Sequence, residues 1–404
     1  MSTTFLYRAF GLRGYRYRSQ TIESGCLIVT IEQPRSNLRC AACRSADVER
    51  RGSARREWQT VPIGSRPVYL RMHVPRLHCW NCGVTRQPHL PFAEPYKQHT
   101  RAFARYVLEL RRCMTIKDVA AHLNVSEWLV RDIEQRYLER HFAKPRLKHL
   151  TQIAIDEISI GKGHRYVTVV LDLDSGAIVY VGDGKGGDAL TAFWRRLRAS
   201  GARIEAVATD LSPAYVAAVR EHLPDAALVF DRFHLVKLLN EELSELRREL
   251  YREATDRLDR QVLKGTRWLL LKHPDHLDDQ RDERRRLEEA LELNRSLATA
   301  YYLKEDLRQL WEQRDEWDAE LFLESWCRRA QASGIRRLQK YAKTLLAHRS
   351  GIQAWYDHPI STGPLEGVNT KITVLKRQAY GFRNRRYFRL KLYALHLSRH
   401  ELVG

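Results

Sequence analysis

The chain is 404 residues long, which at about 100 to 200 residues per domain implies two to four structural units. Sixty-nine Lys and Arg stand against 49 Asp and Glu, and the net charge of +20 makes a polyanion, nucleic acid first, the expected large partner. No apolar run approaches the roughly 18 residues of a membrane span and the N-terminus lacks a secretory-signal pattern, so no membrane partner is expected and the cytoplasm or the chromosome is the expected location.

Residues 1–35 read as a basic, aromatic-interleaved N-terminal arm (Tyr7, Arg8, Arg13, Tyr15, Arg16, Tyr17, Arg18) followed by a strand-like run from Cys26 to Ile31. Such an arm either lies along phosphates or is a solvated extension that orders on a partner. Residues 36–95 hold two C-x-x-C pairs, Cys40 with Cys43 and Cys79 with Cys82. Four thiolates in two knuckles are what one structural Zn²⁺ requires, and four cysteines leave no open position for catalysis. Strand-like stretches at 57–61 and 67–74 would bring the knuckles together as a zinc ribbon.

Residues 96–148 contain TIKDVAAHLNVSEWLVRDIEQRYL. Thr115 with Asp118 fits a capping box, Asn124 to Ser126 makes a turn, and a second helix begins at Glu127, which is helix-turn-helix spacing. Exposed residues of that second helix, Glu127, Arg131 and Gln135, are the expected base readers.

Residues 149–235 begin with LTQIAIDEISIGKGHRYVTVVLDLD, two strands joined by a turn at Gly161 to Gly163, with Asp156 and Glu157 inside an otherwise apolar strand. A buried carboxylate is costly unless a cation pairs with it, so Asp156 is either in a structural ion pair or a catalytic or metal-binding acid. Strands at 150–160, 165–174 and 177–181 give way to helix, strand, helix, strand, the order of an α/β ribonuclease H-like sheet. Asp210 follows the apolar run 204–208 and could share a cation with Asp156. Residues 236–355 are long, charge-laced helices, an all-α insertion in which Trp268, Trp311, Trp317, Trp326 and Trp355 are expected mostly as core anchors. Residues 356–404 restore the core with a final helix started at Thr362-Gly363-Pro364. Glu366 in its first turn either complements the helix dipole or serves a metal site. Asn369 follows on or near its face, and Lys371, Lys376, Arg377, Arg383, Arg385 and Arg386 supply a dense basic run.

With these stretches in view the chain resembles bacterial insertion-sequence transposases of the Asp-Asp-Glu class, ISL-three type. The likeness lies in CAAC to CWNC, AIDEISIGKGHRY, ATDLSPAYVAAV, VFDRFHLVKLLN and STGPLEGVNTKITVLKRQAYGFRN. It implies a ribonuclease H-like fold with a helical insertion before the last acid, and catalytic acids at Asp156, Asp210 and Glu366. It further implies a supporting or DNA-contacting pair at Asp231 and His234. Thr362 departs from the family, which often has Asn there. Carboxylates so grouped are held together by two Mg²⁺ or Mn²⁺ ions about 3.5 to 4 Å apart, Asp156 bridging both. The implied activity is metal-dependent cleavage and strand transfer on double-stranded DNA, at terminal inverted repeats and a target, by a homodimer or larger assembly. A nuclease or resolvase without strand joining, or a regulator derived from a transposase, are the alternatives.

Overall fold

The computed structural model describes residues 3–161 and 165–397. It divides into two compact units: the first comprises the described chain up to Ala143 with Leu375–Leu390, the second Lys144–Val374 with Lys391–Leu397.

The first unit starts with α1 (Thr3–Phe10), β1 (Arg16–Glu23), β2 (Cys26–Glu32), β3 (Val48–Ile63), β4 (Arg66–Cys79) and the two-residue β5 (Thr85–Arg86). The sheet order is β1-β2-β4-β3, with β5 on β4. The N-terminal residues are therefore not a solvated arm. Leu6, Phe10, Leu12 and Tyr15 are buried with Val29, Ile31, Trp58, Leu70 and Phe92 in one apolar core. Apolar residues interleaved with the basic ones give this segment a face to bury, and each such side chain removed from water contributes about 1.5 to 3 kcal/mol. The basic residues Arg8, Arg13, Arg16 and Arg18 stay exposed on the other side.

Three helices follow in the unit: α2 (Arg101–Leu110), α3 (Ile116–Leu123) and α4 (Glu127–Phe142). Thr115 and Asp118 form the capping box of α3, Asn124 leaves it in the left-handed region at φ 51°, and the Ser126 hydroxyl accepts the Leu129 N–H at the start of α4. Phe103, Val107, Val119, Leu123, Val130 and Ile133 bury one face of each helix. This is a helix-turn-helix, as the sequence indicates.

The second unit is built on β6 (Gln152–Gly161), β7 (Arg165–Asp172), β8 (Ile178–Asp183), β9 (Ala206–Thr209) and β10 (Ala227–Phe230), in the order β10-β9-β6-β7-β8. β6, β7 and β8 are antiparallel neighbours, while β9 and β10 run parallel to β6, the ribonuclease H-like arrangement. The turn expected at Gly161 to Gly163 falls mostly outside the described residues. Two helices, α5 (Thr191–Ser200) and α6 (Pro213–His222), bury Phe193, Trp194, Tyr215 and Val219 against Ile153, Ile155 and Val170. Because side chains alternate along a strand, Asp156 points to the opposite face.

The insertion begins directly after β10. It consists of α7 (Arg232–Glu253), α8 (Arg257–Gly265), α9 (Glu283–Leu293), α10 (Arg295–Arg308), α11 (Glu316–Ala332), α12 (Arg336–Ala347) and α13 (Arg349–Gln353). Leucines of α7, α10, α11 and α12 share a core with Trp326 and Tyr341. Trp311 and Trp326 are core anchors as expected, but Trp268 and Trp317 are 64% and 66% exposed. They lie off the leucine-bearing faces of their segments. Two helices follow, α14 (Gly363–Gln378) and α15 (Arg385–Tyr393).

Candidate active site and metal centre

The four cysteines converge because the 35 residues between the knuckles are spent on the β3-β4 hairpin, whose register pairs Val48 with Cys79. Their sulfurs all lie within 4.8 Å of one another, with Cys40 to Cys82 at 3.6 Å and Cys43 to Cys79 at 3.5 Å. A tetrahedron with metal–sulfur bonds of about 2.3 Å has edges of about 3.8 Å, so the set fits one metal ion. Each knuckle turns on a left-handed residue, Arg44 at φ 63° and Gly83 at φ 70°. Backbone N–H groups of Cys43 and Ala42 pull the Cys40 thiol down to about 6. Cys82 is pushed up to about 12, against the Val84 N–H that stabilises its thiolate, by the neighbouring sulfurs and by burial. Four anions of like sign are stable together only around a cation.

The second cluster lies entirely in the second unit. Asp156 sits on β6, the middle strand of the sheet, where Oδ1 accepts the Glu157 N–H at 2.7 Å. Its Oδ2 accepts Asn369 Nδ2 of α14 at 3.4 Å. Burial raises the Asp156 carboxyl above the ordinary range, and the nearby Asp210 charge adds to that. Asp210 follows β9, with Oδ1 accepting the Ser212 N–H at 3.0 Å in the turn that starts α6. Asn369 Oδ1 is buried without a hydrogen-bond partner. A carboxyl disfavoured by burial, a second carboxylate beside it and an orphaned oxygen together fit a divalent cation, which accepts oxygen donors of this kind.

Glu366 lies one turn before Asn369 on α14, a spacing that puts both on one side of the helix. It is exposed, whereas Asn369 is half-buried. Among the described residues only the four cysteines gather three or more ligand atoms within 4.8 Å. Asp156, Asp210 and Glu366 are therefore not gathered to that distance in the described structure.

Asp231 follows β10 and caps α7, accepting the Phe233 N–H at 3.0 Å. It also accepts the Thr362 hydroxyl and lies 3.5 Å from His234 Nδ1. Burial alone would raise the Asp231 carboxyl, but the contacts to His234, Thr362 and the Phe233 N–H hold it below the usual range. The same contact raises His234, against the effect of burial, and the charges of Asp156 and Asp210 help. Thr362, the departure from the family pattern, is therefore a hydrogen-bond donor that ties the start of α14 to the start of α7. The sequence shows Glu157 beside Asp156 but gives it no role; its carboxyl is raised by burial and by the charges of Asp210 and Asp156. Its position next to Asp156 was the available signal.

On α4, Glu127 and Arg131 are exposed, while Gln135 donates to Glu139 at 3.1 Å and is partly occupied. Trp128, missed because only polar readers were sought, is 66% exposed in the first turn of that helix. Of the basic run, Lys371 is half-buried in the second unit, whereas Lys376, Arg377, Arg383, Arg385 and Arg386 belong to the first. The sequence places that segment with the catalytic core. Its packing differs because Glu134, buried in α4, takes hydrogen bonds from Arg111 at 2.9 Å and from the Tyr387 hydroxyl, while Arg386 pairs with Glu139 at 3.0 Å.

Comparison with known proteins agrees with this geometry. A family model described as a transposase matches residues 153–392. The helix-turn-helix domain of transposase family ISL3 matches residues 88–138, and the zinc-finger of the IS204/IS1001/IS1096/IS1165 transposases matches residues 36–82. The transposase for insertion sequence element IS1001 of Bordetella parapertussis is 34% identical over 329 residues, 80% of each chain. That for IS1557 of Mycobacterium tuberculosis is 31% identical over 387 residues, 89% of this chain and 86% of that one. A Drosophila P element transposase in a strand transfer complex aligns with 73% of this chain and 91% of its own at 12% identity and a TM-score of 0.37, too distant a likeness to carry weight. A zinc-ribbon match, a helix-turn-helix match and a catalytic-domain match in series, with two relatives similar over most of their length, show that the chain belongs to the ISL3 family of insertion-sequence transposases.

Proposed function

We propose that this transposase cuts and rejoins DNA at Asp156, Asp210 and Glu366, and recognises the terminal inverted repeats of its element through the ribbon and α4. The observation that supports this best is Asp156: a carboxyl held on the middle strand, disfavoured by burial, beside Asp210 and under the Asn369 side chain. Asp156, Asp210 and Glu366 would hold Mg²⁺ or Mn²⁺, two per site, and Cys40, Cys43, Cys79 and Cys82 a structural Zn²⁺. The divalent cations supply charge neutralisation at the reacting phosphate. Asn369 orients the Asp156 carboxylate, and Asp231 through Thr362 ties the start of α14, which carries Glu366 and Asn369, to the start of α7 beside His234. In the first step water replaces the 3′-oxygen at an element end, breaking one P–O bond and forming another. In the second the freed 3′-hydroxyl replaces the 3′-oxygen of a target phosphodiester in the same way, so one site serves both.

Arg377, Arg383, Arg385 and Arg386, with Lys371 and Lys376, contact backbone phosphates, and Arg131, Glu127 and Gln135 face base edges. The assembly that pairs two element ends is a homodimer or larger, working on the nucleoid in the cytoplasm. The test is transfer of a labelled duplex bearing the terminal repeat into plasmid DNA with Mg²⁺ or Mn²⁺, comparing the intact chain with Asp156→Ala. Joined product that disappears in the variant supports the reading. Cleavage without joining favours a nuclease, and specific binding without either reaction sinks the catalytic assignment.

A further inference from the structure

The helical insertion holds a group that the proposed chemistry does not use. Arg247, on α7, is nine-tenths buried. Its Nη1 donates to the Leu263 carbonyl in the last turn of α8 at 2.8 Å, but its Nε has no hydrogen-bond partner. It opens on a cleft of about 360 Å³ lined by Arg247, Arg248, Tyr251, Arg252 and Lys264. Four of those five residues are cationic and none is acidic. Spacing of four residues stacks Arg247 with Tyr251 and Arg248 with Arg252 along one side of α7. Arg248 has one acidic partner, Glu245, on its own helix. Burial, and then the charges of Arg248 and Arg267, hold the Arg247 guanidinium below its usual value.

A protein gains no stability by burying an unpaired guanidinium N–H among like charges. An anion with several acceptor oxygens in the cleft would offset the repulsion among these cations, and guanidinium groups match phosphate geometry well. The rim bears Tyr251, 37% exposed. An exposed aromatic face beside a phosphate site suits a nucleic-acid strand, whose bases stack on it.

We propose that the cleft between α7 and α8 binds a backbone phosphate of the DNA on which the transposase acts, held by the cations that line it, Arg247, Arg248, Arg252 and Lys264. This rests on the reading under Proposed function.

The test uses the full chain and a labelled duplex bearing the terminal repeat, with affinity measured by fluorescence anisotropy across a salt series. Arg252→Gln with Lys264→Gln, both exposed positions, should make the slope of log affinity against log salt shallower by about one to two, one for each phosphate that is no longer neutralised. Lys343→Gln, an exposed lysine elsewhere in the insertion, should change it less. Arg247→Gln removes the charge and, being shorter, also gives up the bond to the Leu263 carbonyl, so it is read beside Arg247→Lys, which keeps the charge: DNA affinity should fall in Arg247→Gln and fall less in Arg247→Lys. Three outcomes overturn the proposal: a slope no different from that of Lys343→Gln; a lower melting temperature in Arg247→Gln with unchanged affinity, which would make Arg247 a helix cap alone; or stabilisation of the intact chain by inorganic phosphate with the slope unmoved, which would give the cleft to a free anion. Intact protein that binds no DNA at all would instead overturn the proposed function, and this site with it.

Discussion

The four cysteines of the ribbon bring their sulfurs within 4.8 Å of one another, whereas the acids around Asp156 are spread over a β-strand, a loop after a second strand and a helix, and do not close to that distance. The ribbon set is complete: each sulfur is fixed by a knuckle whose turn is already in the left-handed conformation it needs. The acidic set keeps loose ends, with Asn369 Oδ1 unpartnered and Glu366 exposed to solvent. A metal that only holds a fold gains from a closed shell of ligands. The catalytic site proposed for these acids would have to admit two DNA ends in turn and so would need open positions, with the repulsion of like charges left for substrate and cations to relieve.

That contrast breaks most visibly at the ribbon. Cys79→Ser removes a buried ligand, and metal binding of this kind is worth on the order of 10 kcal/mol of folding free energy. The variant should lose bound zinc and expose the β3-β4 hairpin to proteolysis; one zinc per chain with unchanged cleavage would show that the sulfur cluster is not a shared site. Asp156→Asn should behave in the opposite way. Strand transfer should fall by at least about 10³-fold, the scale of losing a principal electrostatic group, while the melting temperature without added divalent cations rises, because a carboxyl disfavoured by burial has become neutral. A fall in both would make Asp156 a structural ion-pair member instead.

A third variant sharpens the comparison by removing a carboxylate that is both buried and paired. Glu134→Gln leaves Arg111 without its partner and weakens the bond from Tyr387. Losing one member of a buried pair costs about 3 to 5 kcal/mol, so chemical denaturation of the first unit should shift by that order. An unchanged midpoint would mean that Arg111 and Tyr387 find other acceptors. Glu134 thus differs from Asp156 in the sign of its effect on stability, since one has cationic and hydroxyl donors and the other does not.

What is legible in the sequence follows the same division. The knuckles, the capping box of α3 and the acid inside an apolar strand are local patterns, each decided by residues a few positions apart. Asp210 after β9 and Glu366 in the first turn of α14 are legible for the same reason. The N-terminal segment misleads because its arginines and tyrosines dominate the composition, while the four apolar side chains that bury it meet their partners about 20 to 80 residues further on. The place of residues 375–390 beside α4 rests on Tyr387 and Glu134, 253 residues apart, and no spacing rule reaches that far. Trp128 and Trp268 look like any other helical tryptophans until the buried face of each segment is known. Arg247 is one arginine among many until its Nε is seen to lack a partner.

The smallest effect concerns pH, and it separates the acidic site's support from its chemistry. The contact with Asp231 raises His234 above its ordinary 6.5, and the contacts to His234, Thr362 and the Phe233 N–H hold Asp231 below 3.8. A raised histidine contributes stability that is fully present below its unfolded value and is lost as pH rises through the folded one. A depressed carboxyl contributes stability present above its unfolded value and lost as pH falls through the folded one. The pair should therefore support the second unit fully between about 3.8 and 6.5 and less as pH climbs beyond that, by up to about 1 kcal/mol, the scale of a loose ion pair. Asp156, raised by burial, acts in the same direction as His234 when no divalent cation is added. Thermal denaturation of the full chain from pH 6 to 9, in intact protein and in His234→Gln, isolates the histidine: the intact chain should lose stability as pH rises, and the variant should lose less. Identical slopes would leave Asp231 held by Thr362 and the Phe233 N–H alone, with His234 free for another task at the DNA.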